Sequence, residues 1–294
     1  MIVFLIDKGD VRYSDIAFSR IFRIFHRMTR SALEVIGREG SVLHIEIQKV
    51  SMTYQSPDGE VEALRDVSFT IPESALLSIV GPSGCGKSTL LSLMAGLETP
   101  TSGQIVLDGV PISGPAKSVG LMPQKDQLFE WRTILNNVLL GPEIRKEKTD
   151  DVKNSVRAML DQYMLLGFSQ KQPSQLSGGM RQRCALIRTL ALAPEVLLLD
   201  EPFSALDYQT RLAVSDDIAQ IIRRTGKTAV LVTHDISEAI SMSDQIVVLS
   251  QRPGCVKAIH DLHSMDGMAP MARRSLPEFQ AVFKTIWEEL DVNA

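Results

Sequence analysis

The chain has 294 residues, of which 44% are apolar and 22% are charged, a composition typical of one α/β domain of about 220 residues with appended segments, or of two small domains. Its formal net charge of −4 argues against a protein whose main task is to grip a nucleic-acid backbone, although a local basic patch stays compatible with it. Cys85, Cys184 and Cys255 are too far apart for a zinc or disulfide pattern, and no apolar run reaches the ~18 residues that span a bilayer. We therefore expect a cytoplasmic protein that meets a membrane only through a partner.

The first 42 residues form an extension with two alternative interpretations. Phe18, Ile21, Phe25 and Met28 lie near one face of a possible helix, and arginines lie largely elsewhere. Such a basic amphipathic helix would suit an anionic membrane surface. The alternative is a poorly ordered extension, or a start site placed too far upstream.

Two stretches that alternate polar and apolar residues follow, His44 to Ile47 and Val67 to Ile71, with the turn residues Ser56-Pro57-Asp58-Gly59 between them. A period of two predicts antiparallel strands. Further strands are predicted at Gln104 to Leu107 and at Val119 to Met122.

Residues 81–89 read GPSGCGKST, a complete G-x-x-x-x-G-K-[ST] phosphate loop between an apolar run and a helix-compatible stretch. A strand that ends in glycines and opens a helix directs backbone N–H groups and the positive end of the helix dipole at one point, which favours a highly charged anion. In this pattern Lys87 reaches the β- and γ-phosphates of a nucleotide, and Ser88 ligates Mg²⁺. A glycine-rich turn without a ligand is the alternative. The predicted binding residues are Gly81, Pro82, Ser83, Gly84, Cys85, Gly86, Lys87, Ser88 and Thr89.

A second glycine-rich helix start follows residues 133–170, which have mainly helical periodicity. Ser177, Gly178 and Gly179 open a helix that runs until Pro194, but this segment lacks a lysine. Because the loop at 81–89 already wraps the phosphates of one nucleotide, a second phosphate-binding terminus suggests a composite site completed by another copy of the chain. Taken alone, the segment is equally typical of an ordinary N-capped helix.

The apolar runs at 196–199, 229–232 and 246–249 lack alternation, as strands buried on both faces should. Helical stretches separate them, which predicts a mostly parallel α/β sheet. The first run ends in Asp200 and Glu201, whose side chains face opposite ways on a strand. We expect Asp200 to hold the magnesium ion, usually through water, and Glu201 to polarise the attacking water as a general base. Two unrelated surface acids are the alternative.

Two single residues follow strands at the same predicted edge of the sheet, where open α/β folds bind ligands. His234 comes after the run at 229–232 and is placed to contact the γ-phosphate and the catalytic water, although a lone histidine after a strand is more often structural. Gln124 comes after the strand at 119–122 and is placed to reach the metal or the water.

Together, in this order and spacing, these motifs resemble the nucleotide-binding subunit of ATP-binding cassette (ABC) transporters. The resemblance implies a P-loop NTPase of the α/β class with a mostly parallel core sheet, an antiparallel β subdomain and an inserted helical subdomain at about 133–190, within a domain spanning 43–260. It also implies that Tyr54 stacks on adenine, that Gln124 is the Q-loop glutamine, that Asp200 and Glu201 are Walker B and the catalytic glutamate, and that His234 is the switch histidine.

The family works as a head-to-tail dimer that sandwiches two ATP molecules, each between Walker A of one subunit and the signature of the other. The resemblance therefore implies that Ser177, Gly178 and Gly179 of the signature and Asp207 of the D-loop contact the ATP of the second copy. It implies ATP and Mg²⁺ as cofactors.

Met180 replaces the glutamine that ends the signature in many family members, a variant common in the importer branch for nitrate, sulfonate and taurine. Residues 121–138 and 251–254 resemble the same branch. The implied function is the ATP-hydrolysing motor of a binding-protein-dependent importer for a small solute, bound to separate permease subunits on the cytoplasmic face of the membrane, without nucleic acid. The alternative is a soluble ABC ATPase that acts as a mechanical module, such as one for metallocluster assembly.

The tail at 261–294 is predicted to contain an amphipathic helix. Its apolar residues recur at helical spacing and are listed here: Phe279, Val282, Phe283, Ile286, Trp287 and Leu290. Docking onto the core is the main expectation, and a groove for a partner is the alternative.

Overall fold

The structure is a computed structural model that describes residues 45–57 and 59–290. The membrane-surface helix considered for the first 42 residues lies outside this range. In chain order the strands are β1 (Ile45–Ser56), β2 (Gly59–Ile71), β3 (Leu76–Val80), β4 (Ser102–Leu107), β5 (Val110–Pro111), β6 (Val119–Met122), β7 (Val196–Asp200), β8 (Thr228–Val232), β9 (Gln245–Leu249) and β10 (Val256–Asp261). The α-helices are α1 (Lys87–Met94), α2 (Ile134–Val138), α3 (Leu140–Ile144), α4 (Asp150–Gln162), α5 (Gly178–Leu190), α6 (Tyr208–Thr225), α7 (Ile236–Met242), α8 (Pro270–Arg273) and α9 (Pro277–Leu290).

The strands form two sheets. An antiparallel sheet has the order β2-β1-β4-β5, and a six-stranded sheet has the order β10-β9-β3-β8-β7-β6. All neighbours in the second sheet are parallel except the pair of β9 and β10. Both the antiparallel sheet and the mostly parallel core sheet were predicted from the sequence. The two-residue strand β5 was not predicted, because it is too short to show a period and contains Pro111.

The central strands are buried on both faces, which explains why their sequences lack alternation. Leu198 of β7 and Val230 of β8 pack in one cluster with Leu90 of α1. Leu199 and Leu231 point the other way, into a second cluster that contains residues of α5 and α6. The sheet is therefore covered on both sides, and its carboxyl edge is left for ligands.

The helices α2 to α5 form a helical region with a small core of their own, to which Ile134, Val156, Leu160 and Ile187 contribute. Short polar side chains start three of these helices: Thr133, Thr149 and Ser177 each accept a hydrogen bond from a backbone N–H in the first turn. Such caps satisfy amide groups that a helix start would otherwise leave unpaired.

The tail helix α9 docks on the main body. Phe279 and Ile286 are buried in a cluster with Ile240 of α7 and Val248 of β9. The apolar residues of α9 therefore pack against the core, as expected, except for Trp287, which is 60% exposed. The preceding helix α8 also packs against the main body. The guanidinium of its fully buried Arg273 donates a hydrogen bond to the carbonyl of Ser243.

Candidate active site

The phosphate loop connects β3 to α1, and its backbone requires glycine. Gly86 lies at the N-cap of α1 with φ +102°, a left-handed conformation that side chains rarely adopt. A Cβ atom there would lie 2.6 Å from Cδ2 of Leu64 and 2.8 Å from the carbonyl oxygen of Ala63. Close packing of the loop against β2 therefore excludes any side chain at this position.

Lys87 places a positive charge inside the loop. Its side chain is buried, and Nζ donates to the carbonyl oxygens of Gly81 at 2.8 Å and Pro82 at 2.9 Å. The thiol of Cys85 is also buried, 3.9 Å from Nζ of Lys87. Burial raises the pKa of the Cys85 thiol and outweighs the opposite effect of the Lys87 charge. Cys85 is therefore a packing residue in the thiol form rather than an activated thiolate.

Ser88 and Asp200 meet across the loop and the end of β7. The hydroxyl of Ser88 donates to Oδ1 of Asp200 at 3.2 Å. Burial raises the pKa of Asp200, the charge of Glu201 adds to this effect, and the Ser88 hydrogen bond opposes it. A hydroxyl beside one carboxylate suits Mg²⁺, which is held by few protein oxygens together with nucleotide phosphates and water. In residues 45–57 and 59–290, no group of three or more His, Cys, Asp or Glu side chains forms an all-protein metal site.

Glu201 directs its carboxylate to a different set of partners, as expected for the neighbour of Asp200. Gln124 Nε2 donates to Oε2 of Glu201 at 3.1 Å, and His234 Nδ1 lies 3.2 Å from the same oxygen. The backbone of Glu201 is left-handed, with φ +41°, and its N–H donates to the carbonyl of Val232 at 2.8 Å. A non-glycine residue in this conformation is strained, which is frequent at functional sites. The three predicted catalytic side chains are therefore in contact.

A cleft of about 280 Å³ opens beside the phosphate loop. The predicted residues that line it are Tyr54, Ser83, Gly84, Gly86, Lys87, Ser88, Thr89 and Glu201. At its edge, the hydroxyl of Tyr54 donates to Glu98 at 2.5 Å and lies 3.3 Å from Oγ1 of Thr89. Burial and the hydrogen bond with Glu98 raise the pKa of Tyr54, so the ring carries a neutral phenol. An aromatic ring, a buried ammonium and the exposed loop residues Ser83 and Gly84 suit the base and the phosphates of a nucleotide.

The second helix start lies apart from this cleft. Ser177 caps α5 by accepting from the N–H of Met180, and Asp207 caps α6 by accepting from the N–H of Thr210. A Cβ atom on Gly179 would lie 3.0 Å from the side chain of Thr210, so the two helix starts are close neighbours. Among the described residues, none of Ser177, Gly178, Gly179 and Asp207 lines the cleft of its own chain.

Comparison with known proteins decides the family. The profile of the ABC transporter family matches residues 64–204. The ABC transporter ATP-binding protein YtlC of Bacillus subtilis is 44% identical over 252 residues, which are 85% of this chain and 96% of that protein. The chain belongs to the ABC transporter ATP-binding proteins.

Other members of this family agree with that assignment. The taurine import ATP-binding protein TauB of Roseobacter denitrificans is 38% identical over 83% of this chain and 94% of its own length. The solved dimeric structure of the ABC transporter cassette MJ0796 superposes with a TM-score of 0.65 at 32% identity, covering 74% of this chain and 98% of that one. A second structure of MJ0796, a dimer in a post-hydrolysis state bound to ADP and Pi, gives a TM-score of 0.63 at 31% identity. This chain is an ATP-binding ATPase, as predicted.

Three residues of this ABC ATPase line the cleft although sequence motifs did not assign them to it: Val61, Ala63 and Arg252. The N–H of Gly254 donates to the carbonyl of Ala63 at 2.9 Å, so the turn after β9 is held against β2 beside the phosphate loop. In the sequence, residues 251–254 indicate only a resemblance to the importer branch and no contact with the nucleotide. None of the helices in the described part of the chain has the length and apolar character needed to cross a bilayer.

Proposed function

We propose that this ABC ATPase is the motor subunit of a binding-protein-dependent importer for a small solute of the taurine, sulfonate or nitrate class. It acts as a head-to-tail dimer, and its permease subunits are separate chains in the membrane. The observation that carries this proposal is the presence of two glycine-containing helix starts, at Lys87 and at Gly178, of which the first lines the cleft of its own chain and the second does not. Relatives named as taurine import ATP-binding proteins, at 38–42% identity, support the importer function.

In this proposal the loop at 81–89 and Lys87 bind the β- and γ-phosphates of ATP, and Tyr54 receives the adenine. Ser88, Asp200 and Gln124 hold Mg²⁺, directly or through water. The ion would neutralise charge on the phosphate oxygens. Glu201 accepts a proton from the attacking water, and His234 and Gln124 hold the Glu201 carboxylate in position.

The signature residues Ser177, Gly178 and Gly179, with Asp207, serve the ATP of the second copy. A helix start with free N–H groups and no lysine adds hydrogen bonds to a phosphate that another loop already holds. Because each ATP needs both chains, binding closes the dimer, and hydrolysis by Glu201 lets it reopen.

The helical region between Thr133 and Gln175, with the loop that precedes it, is the proposed surface for the permease. It carries exposed apolar side chains: Trp131, Ile144 and Met164 are each more than 70% exposed. Phe129 stacks on Trp131 with ring centroids 4.8 Å apart. Exposed apolar groups on one region are typical of a protein interface.

The test is a pull-down from native membranes in mild detergent, with ATP and a tagged Glu201→Gln protein that holds the closed dimer. We expect a multi-span subunit in stoichiometric amount and a substrate-binding protein in weaker association. The matched control carries Lys87→Ala as well and should lose the ATP-dependent part of the association. If only soluble partners co-purify and the chain is absent from membranes, the importer proposal is overturned and the mechanical module is favoured instead.

A further inference from the structure

The loop at residues 124–132, between β6 and α2, is held by arginines of the signature helix α5. Arg181 makes a bidentate ion pair with Asp126, with Nε–Oδ2 at 2.7 Å and Nη2–Oδ1 at 3.1 Å. Its third nitrogen, Nη1, lies 2.8 Å from Oε1 of Glu130. Two turns further along α5, Arg188 donates to the carbonyl oxygens of Asp126 at 2.7 Å and Gln127 at 2.8 Å.

The ion pair between Asp126 and Arg181 is partly shielded from water, with side-chain exposures of 18% and 24%. Burial alone would raise the pKa of Asp126, but the hydrogen bonds from Arg181 and from the N–H of Leu128 outweigh it and lower the pKa. Asp126 is therefore a carboxylate at neutral pH. Two parallel charge-assisted hydrogen bonds fix direction as well as distance, so the loop and the helix are held at a defined angle.

Each end of this ion pair leads to one of the two phosphate-binding motifs. Asp126 lies two residues after Gln124, whose amide contacts Glu201 in the chain's own cleft. Arg181 lies in the first turn of α5, and its N–H donates at 2.9 Å to the carbonyl of Ser177, which caps the signature. A continuous path thus runs from Glu201 to Gln124 by a hydrogen bond, along the backbone to Asp126, and then by hydrogen bonds through Arg181 to Ser177.

We propose that Asp126 and Arg181 are positioning residues that couple the ATP site of one chain to the signature that the same chain presents to its partner. A shift of Gln124 when ATP occupies the cleft is passed through the bidentate pair to the first turn of α5. The signature then takes the orientation that accepts the second copy's ATP. This inference rests on the proposed dimer function, because it explains how ATP in one chain's cleft prepares that chain's signature for closure of the dimer.

The experiment compares Asp126→Asn with Asp150→Asn, both in a Glu201→Gln background. Asp150 also forms an ion pair in the helical region, with Lys153 at 2.9 Å, but its side chain is 92% exposed and the pair lies on α4. The first measurement is hydrogen exchange of a peptide covering residues 176–183, without ATP and over a range of ATP concentrations. We expect Asp126→Asn to move the ATP-dependent protection of this peptide to a roughly tenfold higher ATP concentration, and Asp150→Asn to leave it unchanged.

The second measurement is the ATP concentration that gives half-maximal dimer by analytical ultracentrifugation. A coupling of ordinary strength predicts a rise of roughly tenfold for Asp126→Asn and no change for Asp150→Asn. Arg181→Lys keeps the charge but loses the bidentate fork, so a smaller rise is expected from a variant that is still folded. In the double variant Asp126→Asn with Arg181→Gln, the rise should fall well short of the product of the two single effects.

The outcomes separate the two proposals. If the 176–183 peptide of Asp126→Asn becomes protected at the same ATP concentration as in the parent, or if the single effects multiply, the coupling is overturned even when the dimer forms. If the parent Glu201→Gln chain binds ATP but never dimerises, the proposed dimer function fails. The exchange measurement still decides whether the cleft and the signature are linked within one chain.

Discussion

The side-chain amide of Gln124 donates a hydrogen bond to Oε2 of Glu201 at 3.1 Å, although 77 positions separate the two residues. His234 lies 3.2 Å from the same oxygen, from the end of a third strand. Strands β6, β7 and β8 are neighbours in the sheet, so their carboxyl ends bring the three side chains together. The orientation of the Glu201 carboxylate is thus fixed by two strands that flank its own.

This arrangement predicts that Glu201→Gln blocks turnover and leaves nucleotide binding intact. The amide keeps the size of the side chain but cannot accept a proton, and general-base catalysis typically contributes about 10²- to 10⁴-fold. We expect phosphate release to fall at least about 100-fold and the dissociation constant for ATP to change less than about threefold. Steady-state phosphate assays and equilibrium binding of a fluorescent ATP analogue measure the two quantities. Hydrolysis at the normal rate would show that Glu201 is not the base.

Lys87→Ala should weaken ATP binding itself. The buried ammonium now contacts the loop carbonyls of Gly81 and Pro82, and phosphate oxygens would be its ionic partners in the nucleotide complex. Hydrogen bonds to charged groups contribute about 1.5–3 kcal/mol, so the dissociation constant should rise roughly 10- to 100-fold. Lys284→Ala, at an exposed position on the tail helix, is the matched control and should bind like the parent. Equal affinity of the two variants would contradict the assignment.

Gly86→Ala should destabilise the fold as well as the nucleotide site. The added Cβ would meet Leu64 and the carbonyl of Ala63 while the backbone stays left-handed. Left-handed strain alone costs about 1–2 kcal/mol. A decrease of at least about 2 °C in melting temperature is expected for a domain of this size. Gly114→Ala is the control, because nothing lies within 4 Å of its added Cβ. Equal melting temperatures would show that the loop relaxes without cost.

The tail helix should contribute to stability through its buried face. Ile286 is fully buried, whereas Trp287 is 60% exposed and stacks on Phe283. Ile286→Ala should lower the free energy of unfolding by about 2–5 kcal/mol. Trp287→Ala should lower it by less than about 1 kcal/mol. Urea denaturation of the two variants measures the difference. If Trp287→Ala were the more damaging change, α9 would be packed differently.

Glu238 gives a prediction about pH. Burial raises its pKa, and the hydrogen bond from Thr233 at 2.6 Å and the charge of Arg211 only partly oppose this effect. Between the unfolded-state pKa and the raised folded-state pKa, the folded chain binds more protons than the unfolded chain. The contribution of Glu238 to the free energy of unfolding should therefore fall as the pH rises above about 4.5.

Glu238→Gln removes this titration. The difference in unfolding free energy between Glu238→Gln and the parent should increase as the pH rises through the same window. Chemical denaturation at several pH values measures this difference. A difference that is independent of pH would mean that Glu238 titrates alike in both states.

The sequence by itself determined the elements whose signals are local. The order of phosphate loop, signature and paired acids, with their flanking apolar runs, was enough to predict the fold class and ATP hydrolysis. The helix start at Ser177 was predicted in the same way, because a cap satisfies an amide only three residues away. The proposed importer substrate is not encoded in these elements.

Only the tertiary structure decided which distant residues share a surface. Arg252 reaches the nucleotide cleft because the turn after β9 pairs with β2, and Asp126 meets Arg181 because α5 packs beside the loop after β6. Neither contact leaves a periodic trace in the sequence, since each depends on how separate elements pack. The same holds for Arg273, a charged residue that lies in the core because carbonyl groups of α7 and its C-terminal end surround it. Local chemistry thus specifies the motifs, and long-range packing specifies which of them act together.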